Sequence, residues 1–161
     1  TWWPKFENIF HNFILQNQQF LALENIVEMN AELKINDITL RGKIDRVLVN
    51  TDKSAEIFDY KTGQVPSKNE VLSGANPQLT IAALMLKQYT ISSLAYWKLS
   101  TSQENEIKKI SNNKDEIAEL IIAAQQGLTK LFAFFHNEKN GYLATDIFTH
   151  NPYQHLARTI K

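Results

Sequence analysis

Asp59 and Lys61 stand two apart in Ala55-Glu56-Ile57-Phe58-Asp59-Tyr60-Lys61, an apolar segment that predicts a β-strand. On a strand, residues two apart share a face, so Ala55, Ile57, Asp59 and Lys61 line one side and set a carboxylate beside an ammonium. Just upstream, Gly42-Lys43-Ile44-Asp45-Arg46 carries a second acid. If the two strands pair as a hairpin, Asp45 arrives at the same spot. Two carboxylates offer a hard divalent cation the oxygen ligands it prefers, and the amine offsets charge building on an attacked phosphate. That donor set suits metal-assisted hydrolysis of a phosphodiester, where a Mg2+ or Mn2+ ion would supply Lewis acidity and a more acidic water. By itself, Asp-x-Lys on a strand is as readily a surface ion pair on a solvated face.

The elements that must position these groups follow from periodicity. Residues 4–23 predict a helix, with Pro4 in its first turn and Phe6, Ile9, Phe10, Phe13, Ile14 and Phe20 on one stripe. Residues 26–35 alternate as a strand. Asn36-Asp37 then turns the chain into a second strand over 38–49. There Ile38, Leu40, Gly42 and Ile44 share one face and Thr39, Arg41, Lys43 and Asp45 the other, so Asp45 is expected to leave the packed face. The third strand, 55–61, ends at Thr62-Gly63. Residues 64–74 read as a loop, 77–88 as a helix on Leu79, Ala82, Ala83 and Leu86, and 91–99 as a fourth strand. A last helix carries Ile117, Leu120, Ile121, Ala124, Leu128, Leu131, Phe132 and Phe135 behind the capping pair Asn113 and Glu116, and Gly141 and Pro152 mark a looping tail.

Composition bounds the function. The 161 residues suit one domain, 1–161, and the opening Thr1-Trp2-Trp3-Pro4 reads as part of something longer. No apolar run in the sequence approaches bilayer-spanning length, and the basic region, apolar core and small-residue cleavage site of a signal peptide are not seen at the start, so we expect a cytoplasmic protein without membrane contact. Zero cysteines exclude disulfides and an iron-sulfur cluster held by this chain. Lys plus Arg (17) balance Asp plus Glu (17), so any nucleic-acid affinity must come from a local basic surface or from the rest of a longer protein.

The order α-β-β-β-α-β resembles the core of the PD-(D/E)XK restriction-endonuclease-like fold, an α/β architecture with a central mixed four-stranded sheet, here with an added C-terminal helix. Gly42-Lys43-Ile44-Asp45-Arg46 resembles the Gly-x-x-Asp-Arg motif of its RecB-like branch. Asp59-Tyr60-Lys61-Thr62-Gly63 resembles the Asp-Tyr-Lys-Thr motif, and Pro77-Gln78-Leu79 the Gln-bearing motif. Trp2-Trp3-Pro4-Lys5-Phe6, Tyr96-Trp97-Lys98-Leu99 and Tyr153-Gln154-His155-Leu156-Ala157-Arg158 fall in the order of the nuclease region of the alphaproteobacterial type of AddB.

This resemblance implies DNA as substrate and a helicase-nuclease partner subunit of the AddA kind, acting in double-strand break repair at the nucleoid. It implies Asp45, Asp59 and Lys61 as catalytic residues, with Asp45, Asp59 and the Tyr60 backbone carbonyl as metal ligands. Glu32, preferred over Glu28, is a further candidate ligand or else an exposed acid. Arg46 is a phosphate or a structural partner. Gln78 contacts DNA or Lys61, and Thr62 and Gly63 contact DNA or only end the strand. The motif's tyrosine four residues after Gln78 is replaced by Ala82; its metal-binding histidine is expected upstream of the Trp2-Trp3-Pro4 segment, and His11, the substitute within the first helix, is better read as structural or exposed. Phe132, Phe134 and Phe135 read as core or subunit contact. A catalytically weak DNA-binding or scaffolding module and an unrelated α/β interaction domain stand as alternatives.

Overall fold

A computed structural model describes residues 2–101, 104–137 and 140. Tyr153 to Arg158, Gly141 and Pro152 lie outside the described residues. Strand β1 (Glu24–Ile35) folds back through Asn36, whose φ of 55° makes the tight turn, into β2 (Ile38–Val49). The next hairpin turns at Lys53 (φ 60°) into β3 (Ser54–Lys61), with Asn50 and Asp52 hydrogen-bonding Ser54 across it. Two helices, α2 (Lys68–Leu72) and α3 (Gln78–Met85), then carry the chain over the sheet to β4 (Thr90–Lys98), which runs parallel to β3. A parallel neighbour needs such a crossover, and this one sets α3 against the face that bears Asp59.

The sheet has five strands in the order β1-β2-β3-β4-β5, not the expected four. Strand β5 (Glu106–Ser111) pairs antiparallel with β4 and forms the second edge, where Glu106, Lys108 and Lys109 discourage further pairing. Its sequence, Glu-Ile-Lys-Lys-Ile-Ser, is short and charged and alternates too weakly to announce a strand. Helix α2 also corrects the expected loop over 64–74. It begins with a reciprocal capping box in which Ser67 Oγ accepts from the Glu70 N–H and Glu70 Oε2 accepts from the Ser67 N–H.

Two cores flank the sheet. On one face, Val47, Val49, Ala55, Ile57, Leu94 and Tyr96 pack against Leu79, Ala83 and Leu86 of the α3 region and against Ile117 and Leu120 of α4 (Lys114–His136). On the other, Leu48, Phe58, Ala95 and Trp97 lie beneath Phe13 of α1 (Trp3–Asn17) and Phe20 of the 3-10 turn that follows it. Helix α1 departs from expectation: none of its residues is fully buried, and Phe6, Phe10 and Ile14 are exposed. Helix α4 corrects the expectation about length, for it is 23 residues long and an 18-residue stretch of it, with mean hydropathy 1.2, reaches the range of a membrane span. Its inner face is nonetheless committed to the sheet through Ile117 and Leu120, with Phe132 half-buried against Leu33 and Leu84 and Phe134 and Phe135 exposed.

Candidate active site

Asp45 and Asp59 line one cleft between β2 and α3. The geometry comes from a slip in β2. Ile44 and Val47, three apart, both enter the core under α3, while Arg46 points to the opposite face and Asp45 joins Ile44 on the α3 side, so the alternation breaks at Ile44-Asp45. Asp45 therefore does not follow Arg41 and Lys43 to a separate polar face, as simple alternation predicts, but lines the cleft with Ile44 and Asp59. The β2–β3 ladder ends at Arg46 and Phe58, and beyond it Asp45 Oδ2 accepts the Tyr60 N–H at 2.9 Å. A carboxylate thus replaces a ladder carbonyl where the strands part. The residue across β1 from this break is Glu28, whose φ of 52° places it in the left-handed region. That conformation costs an L-residue roughly 1–2 kcal/mol.

Lys61 Nζ lies 2.8 Å from Asp59 Oδ2 and 2.8 Å from Gln78 Oε1. Helix α3 begins at Gln78, so the crossover delivers this amide to the end of β3. The Lys61 ammonium also sits 5.7 Å from the centre of the Tyr96 ring, which closes the site from below and which the sequence reading did not assign to it. Tyr96 is fully buried with no partner for its hydroxyl. Its pKa is pushed up to about 12, first by burial and then by the Asp59 and Glu70 carboxylates. Burial likewise raises the Asp59 carboxyl above the usual carboxylate range, with Asp45 adding to the effect and Lys61 opposing it.

These features test the site for a divalent cation. Asp59 Oδ2 is buried and is met by the Lys61 ammonium at 2.8 Å. A buried carboxylate is kept only where positive charge offsets its desolvation, so this end of the cleft is built for cationic groups. Asp45 has one oxygen committed to Tyr60 and the other free of that bond. Such a donor set fits an ion like Mg2+, which takes one or two carboxylates and keeps several waters. Among the described residues no third acid or histidine joins them.

The remaining sequence candidates sort by position. Glu32 pairs in register with Arg41, four residues along β2 from Asp45, and makes an exposed ion pair with it, so it is not brought to the acids. Glu28 is nearer in register but pairs with Lys43 at 3.0 Å. Thr62 and Gly63 form the exposed bend after β3. His11 is exposed on α1, which packs on the far face of the sheet. Arg46 is 1% exposed on that far face, so the phosphate-contact expectation is corrected in favour of the structural one. Its guanidinium donates to Asn17 Oδ1 at 2.6 Å and Tyr60 Oη at 3.3 Å, between the rings of Phe20 and Trp97.

Relatives resemble the chain without describing its chemistry. An uncharacterized protein of Rickettsia bellii (strain RML369-C) is 27% identical over 97% of this chain and 22% of its own length. Uncharacterized proteins of Rickettsia typhi (strain ATCC VR-144 / Wilmington) and Rickettsia conorii (strain ATCC VR-613 / Malish 7) are 37% and 36% identical over 50% and 53% of this chain, and 10% and 11% of theirs. The chain thus spans less than a quarter of the length of these relatives. The family model of the PD-(D/E)XK nuclease superfamily matches residues 2–152, nearly the whole sequence. With a mixed sheet, a crossover helix and paired acids beside a lysine on adjacent strands, the chain belongs to the PD-(D/E)XK nuclease superfamily.

Proposed function

We propose that this domain is a Mg2+- or Mn2+-dependent deoxyribonuclease that hydrolyses phosphodiester bonds at processed DNA ends, with Asp45, Asp59 and Lys61 as its catalytic residues. The observation that carries the reading is the shared cleft of Asp45 and Asp59, with the Lys61 ammonium 2.8 Å from Asp59. Asp45, Asp59 and the Tyr60 carbonyl would hold the cation, which supplies Lewis acidity to the phosphoryl oxygen and acidifies a water. Lys61, steered by Gln78, orients that water and offsets charge developing on the phosphoryl oxygens. Thr62 and Gly63, at the exposed end of β3, are candidates for backbone contacts to the DNA strand.

The motif order supports placing the domain in a longer subunit of the AddB kind. Such a subunit works with an AddA-like helicase partner in double-strand break repair, in the cytoplasm at the nucleoid. The greater length of the relatives agrees with a multidomain setting. A second reading, a catalytically weak module that binds DNA or serves as a scaffold, is favoured by the lack of a third ligand side chain among the described residues. Incubation of single-stranded and duplex DNA with Mn2+ or Mg2+ separates the two. Cleavage by the wild type that falls at least ~1,000-fold in Lys61→Ala fits loss of a charge-stabilising group and supports the enzyme. Salt-steep binding with no cleavage supports the scaffold.

A further inference from the structure

The cleft that holds the acids runs on between β2 and α3 as a slot of about 220 Å3. Its walls are Leu40, Gly42 and Ile44 from the strand and Ile81, Ala82 and Met85 from the helix, and it is bordered by Arg41 and Lys43, whose exposed side chains pair with Glu32 and Glu28. None of the six wall side chains donates or accepts a conventional hydrogen bond. The cleft's polar side chains on the α3 side gather at one end, where Asp59 and Gln78 face Asp45.

We propose that this slot receives the base of the nucleotide adjoining the scissile phosphate, so that the substrate is a single unstacked DNA strand and is accepted with little regard to sequence. The inference rests on the phosphodiesterase reading above and adds the substrate's form to it. Contiguity is the first argument: a phosphate held at Asp45 and Asp59 presents its neighbouring nucleoside to the apolar walls of the same cleft. Size is the second. Sites for drug-sized ligands occupy about 300–1,000 Å3, and a slot of 220 Å3 suits one ring system rather than a stacked pair. A base in a duplex could enter only after unpairing and unstacking, whereas a single strand avoids most of that cost.

Wall chemistry is the third argument. Aliphatic walls and the polarizable Met85 thioether hold any aromatic ring by burial and sulfur contact, while the polar groups at the cleft's margin, Arg41, Lys43, Asp45, Asp59 and Gln78, are each engaged with another protein group rather than set to read a base edge. Gly42 keeps the slot open: a Cβ there would already stand 3.4 Å from Met85 Cε and 3.6 Å from Sδ, and further atoms would occupy the space. Its φ lies outside the positive range, so backbone conformation does not demand glycine at this position.

The test uses the full chain and two variants that narrow the slot from opposite walls, Gly42→Val and Ala82→Leu, each checked for folding by circular dichroism. Cleavage with Mn2+, and binding in EDTA by fluorescence anisotropy, are measured on a single-stranded oligonucleotide, its abasic tetrahydrofuran counterpart and the duplex. The wild type is expected to favour the base-bearing single strand at least tenfold over both others. Each folded variant should bring the base-bearing to abasic ratio below about twofold. Equal handling of base-bearing and abasic strands by the wild type, or a ratio unchanged in a folded variant, overturns the slot. Base preference in EDTA binding without any cleavage upholds the slot and sinks the nuclease reading instead.

Discussion

Replacing Arg46 with methionine removes a guanidinium from beneath α1 while keeping most of the side-chain volume. The charge has no carboxylate partner within ion-pairing distance among the described residues, and its Nε lacks a hydrogen bond. What holds it are hydrogen bonds to Asn17 and Tyr60 and two ring faces, with the guanidinium carbon 5.3 Å from the centre of Phe20 and 5.2 Å from that of Trp97. Hydrogen bonds from a charged donor contribute about 1.5–3 kcal/mol each, and cation–π contacts about 0.5–2 kcal/mol each. Against them stands the desolvation of a buried cation, several kcal/mol, which methionine relieves. Methionine also strands Asn17 Oδ1 and Tyr60 Oη. The balance predicts a loss of about 2 kcal/mol by urea denaturation with an unchanged m-value, or roughly 4–8 °C in Tm. A second readout separates this structural role from a phosphate contact. Removing a phosphate-binding charge flattens the dependence of log K on log salt by about 0.7 on single-stranded DNA, and Arg46→Met should leave that slope alone. Unchanged stability together with a flattened slope would refute the argument.

Three further outcomes follow from the structure. Because burial raises the Asp59 carboxyl, the folded state holds that proton more tightly than the unfolded chain, and in EDTA stability should fall as pH rises from 3.8 through the raised value. Asp59→Asn should remove that decline in urea unfolding and also abolish stabilisation by Mn2+; curves parallel to wild type would contradict it. Tyr96 titrates at about 12 in the folded state against 10.0 in the unfolded, so the unfolded chain loses its proton first and stability drops between those values. Tyr96→Phe should flatten this alkaline limb and, by deleting a buried hydroxyl without a partner, stabilise the neutral protein by on the order of 1 kcal/mol. Ser67→Ala dismantles the capping box and should cost about 1 kcal/mol, seen as faster amide hydrogen exchange through α2 and at the buried Val71.

The strands that carry the chemistry were legible because their signal is local. Strand β2 begins and ends where alternation and the Asn36-Asp37 turn predict, and β3 differs from expectation by one residue. Helix α2 had a local signal too, Ser67-x-x-Glu70, hidden by the polar loop around it. The capping pair at α4 was half right. Asn113 does cap the helix, but Glu116 turns to Ser111 and Lys68 instead of reaching back to the Asn113 N–H.

Sequence alone determined which residue types meet: two acids and an amine on consecutive strands, a glutamine opening the crossover helix, and enough apolar pattern to cover both faces of a sheet. It could not determine the slip at Ile44-Asp45, because a break in alternation arises from pairing with β1 and β3 rather than from neighbouring residues. That slip sends one acid to the cleft and the adjacent arginine under α1. Nor could it tell that Tyr96, 35 residues after Lys61 by number, closes the site from below. Which strands neighbour each other, and which helix covers which face, is decided by burial across the whole chain, and only the tertiary structure carries that information.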